Sequence, residues 1–182
     1  MKFDRLLWQC LLPGEYEFTE EGITVRLSPD AKEKETVLMF NTDTDAFRDW
    51  TPGVKACDLV FFYRGPAAKK PVLLFVELKG SDYGAAEAQI ESAFKRVWAQ
   101  MEPQCQGGAS LVCGVVVVGQ SVMVDVKARI KEAWQQRGLE FRYHFGALRK
   151  TLDLRPNLAD ARKVKPPSAS DPGTPPSPAT QA

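Results

Sequence analysis

Three charged residues, Asp58, Glu77 and Lys79, have the types and the spacing that phosphate chemistry uses. Eighteen residues separate the two acids, and a single leucine separates Glu77 from Lys79. Two carboxylates provide the hard oxygen ligands that Mg²⁺ or Mn²⁺ takes, and such an ion polarises a phosphoryl oxygen and activates water. A nearby ammonium group holds the attacking water and offsets phosphate charge. The three residues therefore indicate a cation site suited to phosphodiester hydrolysis.

Both acids belong to apolar segments that must position them. Asp58 opens one apolar run, at residues 59–63, and Glu77 lies near the end of a second run, at residues 72–79. Short apolar runs bounded by glycine, proline and lysine predict strands buried on both faces. Because side chains alternate along a strand, Glu77 and Lys79 are expected on one face, at the place where Asp58 begins the neighbouring strand.

The remaining pattern predicts an α/β domain with a mixed sheet, that is, an α+β arrangement. Further strands are predicted at residues 23–27, 36–40, 111–119 and 139–145, the last of these being the final strand, and helices at 3–12, 83–101 and 124–136. The long second helix predicts a parallel crossover between the strands that flank it. Residues 15–21 are predicted to be turn-like, and residues 41–53 to form a loop with a helical turn near Phe47.

The acids, the lysine and the element order together resemble the PD-(D/E)xK nucleases, also called restriction-endonuclease-like proteins. Over residues 36–120, Asp58 matches the metal-binding aspartate, Glu77 the acid of the triplet and Lys79 its lysine, while Cys57 replaces the nominal proline. The resemblance implies a restriction-endonuclease-like core with a central mixed β-sheet flanked by helices. It also implies a Mg-dependent endonuclease or exonuclease, in which Asp58 and Glu77 hold Mg²⁺ or Mn²⁺.

Further site residues follow from the resemblance and from the long helix. Many members of the family carry a glutamine on the helix after the triplet, and Gln89 matches it. For the N-terminal acid that many members use, the candidates are Glu20 and Glu21. Lys95 and Arg96, later on the same helix, are predicted to contact a nucleic-acid backbone, with an ordinary solvated helix face as the alternative.

Several other acids allow two interpretations. Asp43, Asp45 and Asp49 either extend the acidic cluster or belong to a solvated loop, and the loop is the interpretation we favour. Asp82 is either a further metal ligand or, as we favour, the cap of the long helix. No residue pattern indicates a site for an organic cofactor.

The charge distribution and the C-terminal composition set the domain boundaries. The formal net charge is +1, but residues 1–91 carry a net charge of −5 and residues 92–165 a net charge of +7. An acidic half that holds cations and a basic half that holds polyanions agree with work on nucleic acid. We predict one domain over residues 1–155 and, over residues 156–182, a basic then Pro/Ser/Ala-rich disordered tail.

Cysteine usage and hydropathy indicate where the protein works. The four cysteines form no paired motif, so free thiols acting as small hydrophobes are favoured over a zinc site, and a cytoplasmic location is expected. The longest apolar run is too short for a membrane span, and the N-terminus lacks the features of a signal peptide. We therefore expect a soluble protein that acts on nucleic acid, most simply DNA, and that can form a homodimer.

Two alternatives remain open from the sequence. The first is a noncatalytic nucleic-acid-binding or interaction module of a defence or repair complex, because the chain has little beyond its core for recognising a sequence. The second is an α/β domain in which the charges are incidental.

Overall fold

The computed structural model describes residues 9–48, 55–79, 84–100, 112–119, 140–145, 151–158 and 162–163, together with Ala128 and Glu132. Within these residues the chain forms nine strands and two α-helices. The elements in chain order are β1 (Glu17–Glu20), β2 (Ile23–Arg26), β3 (Thr36–Asn41), α1 (Asp45–Arg48), β4 (Leu59–Arg64), β5 (Val72–Lys79), α2 (Gly84–Gln100), β6 (Val112–Gly119), β7 (Glu140–Phe145), β8 (Thr151–Asp153), a 3-10 helix (Arg155–Asn157) and β9 (Arg162–Lys163).

The larger sheet is mixed, as the sequence predicts. Its order is β3-β4-β5-β6-β7, with β9 paired to the start of β6. The pairs β3/β4 and β4/β5 are antiparallel, whereas β5/β6 and β6/β7 are parallel. The predicted parallel pairing across the long helix is therefore confirmed, and the fold belongs to the α+β class.

The smaller sheet contains two strands that the sequence does not predict, β1 and β8. β1 and β2 form an antiparallel hairpin, and β8 adds to β2 in parallel. The prediction of a turn at residues 15–21 is wrong for β1, because Phe18 points into the core between exposed neighbours, which is strand periodicity. Glu21 and Gly22 have φ angles of 49° and 76°, so both adopt the left-handed conformation that two-residue hairpin turns need.

The two faces of the larger sheet are covered by different elements. Apolar residues of β2 pack with one face of β3, β4, β5 and β6, so the smaller sheet covers that side. Helix α2 covers the other face, where the rings of Phe75 and Phe94 meet edge to face with centroids 5.8 Å apart. The sequence analysis expected helices as the flanking layers, but among the described residues only one face carries a long helix and a three-stranded sheet takes the other.

Two predicted helical segments are confirmed, whereas two other predicted helices lie mostly outside the described residues. Helix α2 confirms the predicted helix from Tyr83 to Met101 to within a residue, and α1 is the expected helical turn at Phe47. Ala128 and Glu132 are helical, but most of the helices predicted at 3–12 and 124–136 lies outside the described residues. Neither α1 nor α2 is long and apolar enough to cross a membrane. Asn157 and Leu158, just beyond the predicted domain boundary, are buried.

An ion pair ties the C-terminal segment to the loop between β2 and β3. Arg155 donates through its two terminal nitrogens to the two carboxylate oxygens of Glu35, at 2.7 and 2.9 Å, and also to the carbonyl oxygen of Ser28. The Tyr63 hydroxyl and the Asp30 amide donate to the same carboxylate, each at 2.6 Å. The Arg155 guanidinium is the main reason that the pKa of Glu35 falls from 4.5 to about 2.

We expect Glu35→Gln to lower the free energy of unfolding by about 2 to 3 kcal/mol at pH 7, because the substitution replaces charge-assisted bonds by weaker ones. A depressed pKa contributes stability above the unfolded-state value and loses it as pH falls toward the folded-state value of about 2. The difference between wild type and variant should therefore shrink by about half between pH 6 and pH 3 in urea titrations. Glu33→Gln, at an exposed neighbour, is the matched control, and an equal effect of both substitutions would refute the assignment.

Candidate functional site

The candidate site lies at the edge of the larger sheet where β3 and β5 end and β4 begins. The register pairs Asn41 with Leu59 and Leu59 with Val76. One step further along the same register places Thr42, Asp58 and Glu77 side by side on three adjacent strands. Directly opposed residues of an antiparallel pair project to the same face, so the two predicted acids share one side of the sheet.

Hydrogen bonds from both neighbouring strands fix Asp58. Its side chain accepts a bond of 2.6 Å from the backbone amide of Leu78, and its backbone oxygen accepts one of 2.9 Å from Thr42. The Thr42 hydroxyl donates to the carbonyl oxygen of Cys57 at 2.5 Å. Asp58 is only 4% exposed, so these contacts hold a nearly buried carboxylate in a defined position.

Glu77 is two residues after Phe75 on β5, so both side chains project to the same face of the sheet. Helix α2 covers that face. Glu77 is fully buried. Its charge and that of Asp58 reach the Cys57 thiol, whose pKa is raised well above 9.0 by burial first and then by the negative charge of Glu77. Cys57 is therefore a neutral thiol, and Cys10 and Cys57 are both free and buried.

Two further carboxylates join Asp58. One oxygen each from Glu20, Asp43 and Asp58 lie within 4.8 Å of one another. Two oxygens bound to the same Mg²⁺ lie at most about 4.2 Å apart, and those bound to a larger ion such as Ca²⁺ lie up to about 5 Å apart. The three carboxylates thus have nearly the spacing that a shared divalent cation requires, at the end of β1, after β3 and before β4.

Gln89 reaches toward the site from α2. It is 8% exposed, and its side-chain nitrogen donates to the carbonyl oxygen of Ala56, two residues before Asp58, at 3.4 Å. Its amide oxygen is buried and accepts no hydrogen bond from any residue that the structure describes. A buried acceptor of this kind is uncommon in folded proteins and marks a place where a further donor fits.

The three predicted cationic residues, Lys79, Lys95 and Arg96, have different environments. Lys79 ends β5 in register with Gly119, and only its backbone belongs to the described part of the chain. Lys95 is exposed and pairs with Glu91 one turn earlier, at 3.0 Å. Arg96 is 7% exposed and donates to the carbonyl oxygen of Phe47 at 3.2 Å, with its guanidinium 5.3 Å from the centre of the Phe47 ring.

These contacts change the prediction for the long helix. Burial lowers the pKa of Arg96, and its guanidinium joins α2 to α1 instead of facing a nucleic-acid backbone. The prediction of a phosphate contact therefore stays a prediction for Lys95, whose side chain is 46% exposed. Of the acids interpreted as a solvated loop, Asp43 lies with Asp58 and Asp45 is exposed at the start of α1, whereas Asp49 lies outside the described residues. Asp82, interpreted as a helix cap, also lies outside them.

Two sequence signals point to the residues that the analysis undervalued. Glu20 precedes the Glu21-Gly22 pair, and a two-residue turn of that type indicates a hairpin that would end a strand at Glu20. Asp43 follows directly after the strand that ends at Asn41, and strand ends at one edge of a sheet meet. Both signals are local in sequence. That Glu20 and Asp43 both lie near Asp58 follows only from the order of the strands in the sheets.

Comparison with known proteins does not supply a family for this site. No family model, no curated protein and no solved structure matches the chain.

We expect Arg96→Gln to lower the free energy of unfolding by about 2 kcal/mol, because it removes a buried charge-assisted bond and the contact with the Phe47 ring. The matched control is Lys95→Gln, at the neighbouring exposed position, which should change it by less than about 0.5 kcal/mol. Thermal and urea unfolding followed by circular dichroism measure both. Equal stability of the two variants would show that Arg96 is not the link between α1 and α2.

Proposed function

We propose that this protein is a metal-dependent nuclease that hydrolyses phosphodiester bonds, with DNA as the substrate. The observation that carries the proposal is the pairing of Leu59 with Val76 at the edge of the sheet, because the same register continued by one residue sets Asp58 opposite Glu77. The Asp58 side chain accepts a hydrogen bond from the backbone amide of Leu78, the residue after Glu77, which holds the Asp58 carboxylate beside the end of β5.

The donor set suits a hard divalent cation. Carboxylate oxygens are the ligands that Mg²⁺ and Mn²⁺ prefer, and the site offers Asp58 with Glu77 on one side and with Glu20 and Asp43 on the other. Buried carboxylates are costly and are usually paired or bound to metals, so a cation among these groups offsets their mutual repulsion. When bound, such an ion supplies Lewis-acid polarisation of the scissile phosphate.

The other residues of the site would handle the water and the phosphate. Lys79, at the end of β5, is assigned to hold the attacking water and to offset the charge that develops on the phosphate. Gln89 is assigned, as the resemblance implies, to orient a ligand or the scissile phosphate; its buried amide oxygen, which accepts no bond among the described residues, suits a donor such as a water molecule. The oxygen of water would attack phosphorus as the bond from phosphorus to the leaving oxygen breaks, and a proton released by the water would pass through solvent to the leaving oxygen, giving a phosphate monoester and an alcohol.

The mixed sheet is compatible with the proposal. The resemblance to PD-(D/E)xK nucleases implies a mixed central sheet, and the order β3-β4-β5-β6-β7 combines antiparallel and parallel strands in one such sheet. The acids fall where that resemblance expects them, at the start of β4 and near the end of β5. A restriction-endonuclease-like core is therefore the finer fold assignment that we propose.

Metal binding is the first test. We expect Asp58→Asn and Asp43→Asn to weaken Mn²⁺ binding about tenfold or more, because each removes a negatively charged ligand. Glu20→Gln should have a similar effect, whereas Glu17→Gln, on the exposed part of the same strand, should leave the affinity unchanged. Isothermal titration calorimetry measures the affinities. Wild-type protein that takes up no Mn²⁺ would remove the basis of the proposed site.

Cleavage is the second test. We expect wild-type protein with Mg²⁺ or Mn²⁺ to cut at least one of supercoiled plasmid, single-stranded DNA and branched DNA. Glu77→Gln and Lys79→Ala should each lower the rate by about 100-fold, because each removes a group assigned to the reaction. The cleavage rate on RNA of matched sequence shows whether the reaction requires deoxyribose.

The controls separate the nuclease from the alternative functions. Glu17→Gln should cut at the wild-type rate, and chelation of the metal should stop cleavage. Activity that survives both Glu77→Gln and Lys79→Ala would come from a contaminant or from another site and would sink the assignment. Nucleic-acid binding without cleavage on any substrate would instead favour the noncatalytic module of a defence or repair complex.

A further inference from the structure

A basic cleft lies at the edge of the larger sheet opposite the acids. Its volume is about 640 Å³, and it opens between the loop that precedes β3 and the loop that joins β4 to β5. Five cationic residues and a single acid line it, namely Lys32, Lys34, Arg64, Lys69, Lys70 and Glu33. This cleft is defined by those six residues and is called the basic cleft below.

The concentration of positive charge is unusual for this part of the chain. Residues 1–91 carry 11 lysines and arginines against 16 acids, yet five of the 11 gather in this one cleft. The side chains of Lys32, Lys34, Arg64 and Lys69 are exposed. A concave surface lined by charges of one sign focuses the field and attracts ions of the opposite sign.

A second acid, Glu35, lies next to the cleft in sequence but is neutralised by Arg155. Glu35 follows Lys34 directly, but its carboxylate accepts both bonds from Arg155 and its side chain is only 1% exposed. Among the lining residues, Glu33 is the one acid beside the five cationic residues. The ion pair thus leaves the cleft strongly positive.

The same network holds the two walls of the cleft in place. The Tyr63 hydroxyl donates to Glu35 from one side and accepts a 2.9 Å bond from the Ala67 amide on the other. Gly65 lines the cleft between these groups, and a Cβ atom there would lie 2.6 Å from the Tyr63 oxygen. Both loops are therefore anchored to one buried centre, which fixes the spacing of the lysines they carry.

We propose that the basic cleft is a second nucleic-acid contact, which binds the phosphodiester backbone without reading its sequence. Arg64 lies six residue steps along β4 from Asp58, which places the cleft about 20 Å from the acidic edge. A duplex rises about 3.4 Å per base pair along each strand, so this distance is about six base pairs. Backbone contacts of this kind position a nucleic acid and leave sequence readout to other groups.

The choice of nucleic acid over another polyanion rests on the proposed function, whereas the positive cleft itself does not. An acidic segment of a protein partner is the competing occupant, and the binding experiment tests it directly. A phosphodiester backbone carries regularly spaced charge, and binding it releases counterions in proportion to the phosphates neutralised. Salt dependence is therefore the signature to measure.

The experiment measures fluorescence anisotropy of a labelled 20-base-pair DNA duplex, in EDTA so that no metal-dependent cleavage occurs. The triple variant Lys32→Glu, Lys34→Glu, Lys69→Glu should bind at least tenfold more weakly than wild type. Its alanine counterpart should flatten the plot of log affinity against log salt by about one unit for each lysine that contacts phosphate. Arg26→Gln, an exposed cation on the smaller sheet, is the matched control and should bind like wild type. Circular dichroism melting checks that every variant is folded.

The outcomes separate this proposal from the nuclease assignment. Asp58→Asn should keep binding at the affinity of the wild type or better while losing cleavage, because it removes a negative charge far from the cleft. Folded triple variants that bind DNA within twofold of wild type overturn the cleft proposal and leave the nuclease standing. Wild-type protein that binds a labelled polyglutamate peptide but not the duplex also overturns it, in favour of an acidic protein partner.

Discussion

The pairing register between β4 and β5 is the constraint on which the acidic site depends. Side chains alternate along a strand with a period of two, so a slip of one residue would move Asp58 to the face opposite Glu77. Apolar residues fix the register because both faces of the sheet are covered, one by the smaller sheet and one by α2. The bond from the Leu78 amide to Asp58 then locks the same register at the end of the ladder.

The charge of this molecule is arranged along the strands of the larger sheet. Acids gather where β5 ends, and cations gather where β4 ends, at the opposite edge. Neither group belongs to a continuous charged segment of the sequence, since the lysines of the basic cleft come from two separate loops. The acids and the lysines of the basic cleft thus lie at opposite ends of the same strands. This arrangement keeps the cationic surface accessible to a polyanion.

Sequence reasoning succeeded where a signal was local and failed where a contact joined distant segments. The continuous apolar runs of β4, β5 and β6 could only be buried strands, and the period of α2 fixed a helix almost to the residue. Glu20 was a candidate for the N-terminal acid, but its position near Asp58 could not be predicted. That position depends on the hairpin, on the smaller sheet and on their packing against β4. Lys95 and Arg96 look alike in sequence, but adjacent helix positions differ by about 100° in direction, so one is exposed and the other buried. No single-residue pattern could have ranked them.

The segment at residues 151–158 links stability to the proposed binding surface. β8 completes the smaller sheet, and Arg155, immediately after it, neutralises Glu35 at the base of the basic cleft. If the pair were absent, the buried carboxylate would have to be protonated or would draw a lysine of the cleft inward, and either change would cost stability or positive charge. An interaction that looks structural therefore also sets the electrostatics of a surface formed by two other loops. This coupling explains why a short segment near the C-terminus, which the sequence assigned to the border of a tail, contacts the loop before β3 about 120 residues earlier.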